Sequence, residues 1–258
     1  MQERHTNLQQ YFDEQVVTTR KFVVPYINQL KQVSKGVRVL EIGCGTGGNL
    51  VPFLELGCEV TGVDISATSI ERARQLLGHR ERLTLISDDI YNRTETDGLF
   101  DVIVMRDVIE HIHNQEKFMG FVKRFMAPGA VFFLAFPPWY NPFGGHQQIA
   151  KNRMLSKLPF YHILPAFLYK SILRLGGESQ HTINALLEIK ETGISLERFE
   201  RICEKENFTI KRKTLYFINP NYETKFNLKP RVQTRIITSI PFLRNFFVTA
   251  GYYVLCRD

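Results

Sequence analysis

Along the chain, stretches with apolar residues at helical spacing alternate with short runs that are apolar almost throughout. From Leu8 to about Val33, Phe12, Val16, Phe22 and Ile27 are set among polar residues, which predicts a helix. Gly36 separates it from VRVLEI, residues 37–42, a run that fits a strand buried on both faces. A glycine cluster follows (Gly43, Gly45, Gly47, Gly48), and NLVPFLEL then starts a helix. CEVTGVD at 58–64 predicts a second strand, and the next helix carries Thr68 three residues before Glu71, a capping-box spacing. LTLIS and FDVIVM (100–105) predict strands three and four, and AVFFLAF (130–136) strand five. The helix between the last two spans Asn114 to Ala127, where Pro128-Gly129 would stop it.

Strands that alternate with helices in this way imply βαβ crossovers and a parallel sheet. The alternation breaks after Phe136. Residues 137–194 carry PPWYNPFGG and an aromatic-rich stretch without a strand pattern. SLERFERICEKENF then reads as a helix, and TIKRKTLYFI and FVTAGYYVLCR as two final strands around a basic segment, 219–245. The expected organisation is one domain over 1–258, with an N-terminal helical segment (1–35), an insertion at 137–194 and a second insertion at 219–245.

Composition narrows the class. Hydrophobic content of 44% over 258 residues allows a sizeable core, and no apolar run reaches the ~20 residues that span a bilayer. Cys44, Cys58, Cys203 and Cys256 form no CxxC pair or zinc-like spacing and read as reduced thiols. With a polar MQERHTNLQQ start, a cytoplasmic location is expected. The net charge of +7 favours an acidic partner, but the Lys and Arg residues are scattered, so specific nucleic-acid binding is not expected.

Three features fall at the ends of successive strands, where open α/β sheets bind ligands. They are Glu41-Ile42-Gly43-Cys44-Gly45-Thr46-Gly47, then Asp64, then Asp88-Asp89-Ile90. Glycines let backbone and ligand approach closely, and a strand-end carboxylate can accept hydrogen bonds from both hydroxyls of a ribose. The set describes a pocket for an adenosine-containing molecule. The glycines also fit the dinucleotide fingerprint, so NAD competes. Glu41 favours a cationic nucleoside instead, because a carboxylate there would repel a pyrophosphate.

VLEIGCGTG, VTGVDIS, SDDI, FDVIVMRDVIEHI and the PGA turn together resemble the class I S-adenosylmethionine-dependent methyltransferases of the quinone and small-molecule type. The resemblance covers residues 37–136. It implies a Rossmann-like, seven-stranded, mostly parallel α/β sheet with an antiparallel C-terminal hairpin and an inserted helical lid. It further implies S-adenosylmethionine as cofactor, with Glu41, Gly43 and Gly45 at the methionine part, Asp64 at the ribose, Asp89 and Ile90 at the adenine, Ile65 as a further cofactor-binding residue, and the backbone of Arg106 at the methionine amino group. Some quinone O-methyltransferases hold a divalent metal with ExxEH. Here the motif is Asp107-Val108-Ile109-Glu110-His111, and with no further ligand in view no metal is expected.

The acceptor side is less defined. Transfer from a sulfonium needs positioning and exclusion of water, with a base only where the acceptor loses a proton. His111 and His146 are the candidate bases, His146 lying beside Gly144-Gly145 in the first insertion with Trp139, Tyr140, Asn141 and Phe143. Leu155 to Leu175 mixes aromatic, aliphatic and basic residues. Pro159 and Pro165 interrupt it, which favours a lid over a peripheral membrane contact. The expected activity is methyl transfer to a small-molecule or lipid-like acceptor at oxygen. The alternative is a non-catalytic protein that binds the cofactor or a partner.

Overall fold

The computed structural model describes residues 7–94 and 98–257; residues 1–6 of the expected N-terminal segment lie outside it. Its helices are α1 (Leu8–Thr18), α2 (Val24–Asn28), α3 (Val51–Glu55), α4 (Ala67–Leu77), α5 (Gln115–Val122), α6 (Ala166–Leu175), α7 (Gln180–Thr192), α8 (Leu196–Lys205), α9 (Asn221–Phe226), α10 (Arg235–Thr238) and α11 (Leu243–Phe246). Its strands are β1 (Arg38–Ile42), β2 (Glu59–Asp64), β3 (Leu83–Ser87), β4 (Phe100–Arg106), β5 (Met126–Phe136), β6 (Phe208–Ile218), β7 (Arg231–Val232) and β8 (Ala250–Arg257).

The strands form one sheet in the order β3-β2-β1-β4-β5-β8-β6-β7. β1 to β5 are parallel, and β8 runs antiparallel between β5 and β6. The expected seven strands become eight because Arg231–Val232, inside the second insertion, pairs with the edge of β6. Strand order reverses between β1 and β4, so the carboxyl ends of β1, β2 and β4 open a crevice there.

Alternate strand residues enter two cores. On one face Leu40, Ile103, Phe132 and Leu134 pack with Phe118 and Met119 of α5 and Phe199 and Ile202 of α8. On the other, Val39, Val102, Val104 and Phe133 pack with Phe12 and Val16 of α1, Phe53 of α3 and Ile70, Ala73 and Leu77 of α4. Covering both faces is what lets the parallel strands be apolar nearly throughout.

Several element ends differ from expectation. The first helix stops at Asn28, whose Oδ1 accepts the Val33 N–H at 2.7 Å and turns the chain. Residues Thr19–Val23 form a π-helical turn just before Pro25. Proline has no N–H and its ring crowds the carbonyl four residues back, so widening the helix accommodates it. The α4 cap is Ser66, which accepts from the Ser69 N–H at 3.2 Å, and not Thr68. The helix expected to reach Ala127 ends at Val122; Pro128-Gly129 lie within β5. There the β4–β5 register shifts, which tolerates a proline in a strand.

The first insertion has a small core of its own, with Leu155, Tyr161, Tyr169, Leu173, Ile183 and Leu186. Among the described residues no helix is long and apolar enough to cross a membrane.

Candidate active site

The crevice at the switch point is a cavity of about 760 Å³. Gly43, Gly45, Asp64, Ile65, Asp89, Ile90, Arg106 and His111 all line it. Gly43 and Gly45 have φ of +73° and +55°, which β-branched and bulky residues avoid. A Cβ on Gly43 would stand 2.4 Å from Val108 Cγ2, whereas one on Gly45 would meet nothing within 4 Å. Gly43 is thus required by packing, and Gly45 by its positive φ, with the space above it left open.

Asp64 ends β2 and closes the loop from below. Its Oδ2 accepts the Gly45 N–H and its Oδ1 the Ser66 N–H, each at 2.8 Å, and the carboxylate still faces the cavity. Asp89 does similar double duty, its Oδ1 accepting the Tyr91 N–H at 3.0 Å. Asp88 is committed to the loop: its Oδ1 accepts from Asp89 N–H and Asn92 Nδ2, and its Oδ2 lies 3.6 Å from Arg93. Ile65 is 75% exposed at the cavity rim, an apolar surface placed to cover a flat ligand.

Glu41 departs from expectation. It is 1% exposed and lies beneath the cavity instead of in its wall. Oε1 accepts from Asn49 Nδ2 at 2.7 Å, and Oε2 has no partner. Burial pushes its pKa up to about 8, against the opposing effects of Asn49 and Arg106 and aided by Asp64. It is therefore mostly protonated at neutral pH in this form, so repulsion of a pyrophosphate by Glu41 does not by itself exclude a dinucleotide.

Arg106 lines the cavity and adds a side-chain role that its sequence position did not signal. Its side chain is buried and donates to Thr19 Oγ1 (3.0 Å), Asn49 Oδ1 (2.7 Å) and Asn221 Oδ1 (2.6 Å). One guanidinium thereby joins the π-helical turn, the glycine loop and α9. No residue of 137–194 lines the cavity; the wall expected from that lid is furnished by Tyr11, Glu14, Gln15 and Thr18 of α1 and Asn221, Thr224 and Lys225 of α9.

His111 lines the cavity too, and Glu110 is buried next to it in the chain. His146, expected to face the acceptor, is not in the wall but directly behind it. Its ring meets that of His111 edge-on at 5.0 Å, and its Nε2 lies 3.7 Å from Glu110 Oε1. Burial, with the charges of His111, His162 and Lys225, lowers the His146 pKa to about 3. Burial and the Asp107 charge raise Glu110 well above the usual carboxylate range, and both its oxygens lack hydrogen-bond partners. Desolvation lowers His111, against Asp107 and Glu188. One ligand atom each from Glu110, His111 and His146 lie within 4.8 Å of one another, so the further donor absent from the sequence motif arrives from the insertion. His146 at φ +53° turns the chain that delivers it. The neighbouring Trp139, Asn141 and His162 serve the insertion: the His162 ring bridges Trp139 O at 2.8 Å and Gln147 Nε2 at 3.1 Å, and Asn141 bonds Pro138 O and the Phe143 N–H.

A strand-end carboxylate under an open glycine loop and an apolar rim suit an adenosine-containing ligand. A family profile described as "Methyltransferase domain" matches residues 9–175, most of the chain. The chain belongs to the class I S-adenosylmethionine-dependent methyltransferases. This methyltransferase is similar to the ubiquinone biosynthesis O-methyltransferases of Brucella melitensis (36% identity over 107 residues, 39% of this chain and 41% of the relative) and Rhodopseudomonas palustris (34% over 105 residues, 39% and 40%). It thus spans about two-fifths of the length of these curated relatives. Its fold resembles magnesium protoporphyrin IX methyltransferase from Synechocystis with bound S-adenosylhomocysteine (TM-score 0.55, 16% identity, 95% of this chain and 84% of that one). It also resembles phosphoethanolamine N-methyltransferase 2 from Haemonchus contortus in complex with S-adenosylmethionine (TM-score 0.56, 16% identity, 90% and 51%). The methyl donor of this methyltransferase is S-adenosylmethionine.

Proposed function

We propose that this methyltransferase moves a methyl group to a hydroxyl oxygen of a small, largely apolar acceptor, with His111 as the base. The observation that carries the proposal is the continuity of the cavity from Asp64 and Asp89 to His111. When bound, S-adenosylmethionine supplies a methyl group made electrophilic by the sulfonium. The chain supplies the rest. Asp64 and Asp89 take the ribose and adenine polar edges, Gly45 leaves room for the methionine part, and Ile65 and Ile90 cover the nucleoside. Tyr11 and Gln15 from α1 close the wall and exclude water, so that the acceptor hydroxyl and the sulfonium methyl meet without solvent between them.

His111 stays neutral at pH 7 because desolvation lowers its pKa, and an acceptor O–H can pass its proton to the ring as the methyl group arrives. The neighbouring Asp107 charge favours the imidazolium that results. The similarity to ubiquinone O-methyltransferases supports a phenolic acceptor. His111→Gln should lower kcat about 10²–10⁴-fold on a catechol or phenol panel with little change in affinity for S-adenosylhomocysteine. Full activity in that variant would remove His111 from the chemistry.

A second reading places a divalent cation on Glu110, His111 and His146, favoured by their three converging donors and the unpartnered Glu110 oxygens. Dialysis against a chelator decides between the two. Activity lost and then restored by Mg²⁺ or Zn²⁺ supports the cation, and undiminished activity supports the free base.

A further inference from the structure

The second insertion carries a surface that the transfer chemistry does not use. Of the 21 large apolar side chains exposed among the described residues, nine lie between Phe217 and Phe247. Val232, Ile236 and Phe242 are each more than 60% exposed. Lys229, Arg231 and Arg235 are exposed among them, and none has a carboxylate within ion-pair distance among the described residues. No acidic residue occurs from Thr224 to Arg257. The segment is therefore apolar and purely cationic at once.

Its backbone is built to present an aromatic outward. Phe242 has φ +62° and ψ −47°, and the Leu243 N–H bonds Pro241 O at 2.7 Å, so Phe242 is the centre of a γ-turn of the strained hand. A part-buried anchor holds the turn. Glu197 Oε1 accepts the Phe242 N–H (2.9 Å) and Arg244 Nε (2.8 Å), and its Oε2 accepts Asn245 Nδ2 (2.6 Å). Phe160, another exposed phenylalanine with positive φ (+64°), meets Phe246 of the same loop at 6.2 Å. Two strained, exposed phenylalanines on one loop cluster are hard to account for by folding, which would be served better by glycine.

We propose that residues 226–247 dock on an anionic lipid bilayer. The phenylalanines and Ile236 enter the headgroup boundary while Lys229, Arg231 and Arg235 meet lipid phosphates. The charge pattern selects this occupant: a second copy of the chain would set cation against cation, whereas a bilayer surface complements all three. The segment begins where α9 leaves the cavity wall, since Thr224 and Lys225 line the cavity and Phe226 and Leu228 are exposed. For the acceptor proposed above, the docked surface would set the cavity mouth beside the lipid. That consequence rests on the acceptor reading, but vesicle binding does not.

The test is co-sedimentation, without donor or acceptor, with vesicles of phosphatidylglycerol and phosphatidylcholine (1:1) and of phosphatidylcholine alone. Binding to the anionic vesicles and weak binding to the neutral ones are expected. Lys229→Gln/Arg235→Gln should weaken it about 25-fold, at roughly fivefold per basic residue. Phe242→Gly should weaken it about tenfold while raising the thermal midpoint, since glycine relieves the turn. A folding defect would lower both, so the opposed changes identify the surface role. Equal binding to both vesicles, no binding, or unaltered binding by these variants overturns the proposal. So does a concentration-dependent dimer in sedimentation velocity that the same variants abolish.

Discussion

Glu41→Gln is the substitution that isolates the buried acid below the cavity. The side chain is 1% exposed, Asn49 occupies one oxygen, and the other has no partner. In the unfolded chain the carboxyl titrates near 4.5, whereas in the folded chain burial holds it to about 8. Between those values the folded state binds the extra proton, so stability falls as pH rises from about 4.5 and levels off above about 8. At pH 7 the shortfall spans about 2.5 pH units, worth about 3 kcal/mol at 1.36 kcal/mol per unit. Glutamine keeps the shape and the acceptor for Asn49 but cannot ionise. Urea unfolding of both proteins at pH 5, 6, 7 and 8 should therefore give nearly equal stabilities at pH 5 and a gap that widens in favour of the variant. Taking the difference cancels Glu110, His146 and other groups common to both. A gap that is constant with pH, or one that widens in favour of Glu41, would show that the acid is already ionised in the fold.

Two further outcomes follow from the glycine loop and its carboxylate. Asp64→Ala should weaken S-adenosylhomocysteine binding by about 1–3 kcal/mol in calorimetry, through loss of charged hydrogen bonds. It should also lower the thermal midpoint, because the Gly45 and Ser66 N–H groups lose their acceptor; an unchanged dissociation constant would place the ribose elsewhere. Gly43→Ala and Gly45→Ala should separate packing from binding. The first drives a Cβ into Val108 and should destabilise by about 2–3 kcal/mol, while the second should cost about 1 kcal/mol of stability and a larger part of donor affinity. Identical behaviour of the two variants would refute the distinction.

The parallel strands were legible because each is short, apolar and followed by a turn, and β3 begins and ends where LTLIS does. Gly43, Gly45, Asp64, Ile65, Asp89 and Ile90 were legible for the same reason: strand ends deliver them to one crevice. The depth of Glu41 was not legible, because strand alternation says which face a residue takes and not how deeply its carboxyl lies. His146 could not be joined to Glu110 from spacing, since 35 residues and a whole strand intervene and only the packing of the insertion closes the distance. The α1 and α9 walls were likewise hidden. The α1 pattern shows an apolar face and the α9 stretch reads only as part of a basic segment, but Arg106 decides where each is moored, and its three partners come from residues 19, 49 and 221.

That mooring has an evolutionary consequence. The profile shared with other methyltransferases stops at residue 175, yet Asn221, Thr224 and Lys225 shut one side of the chamber. The strand-end residues that line the cavity, from Gly43 to Asp89, thus belong to the common stretch, while part of its wall is supplied by later sequence. Replacing α9 can reshape that wall without disturbing the strand-end residues opposite it.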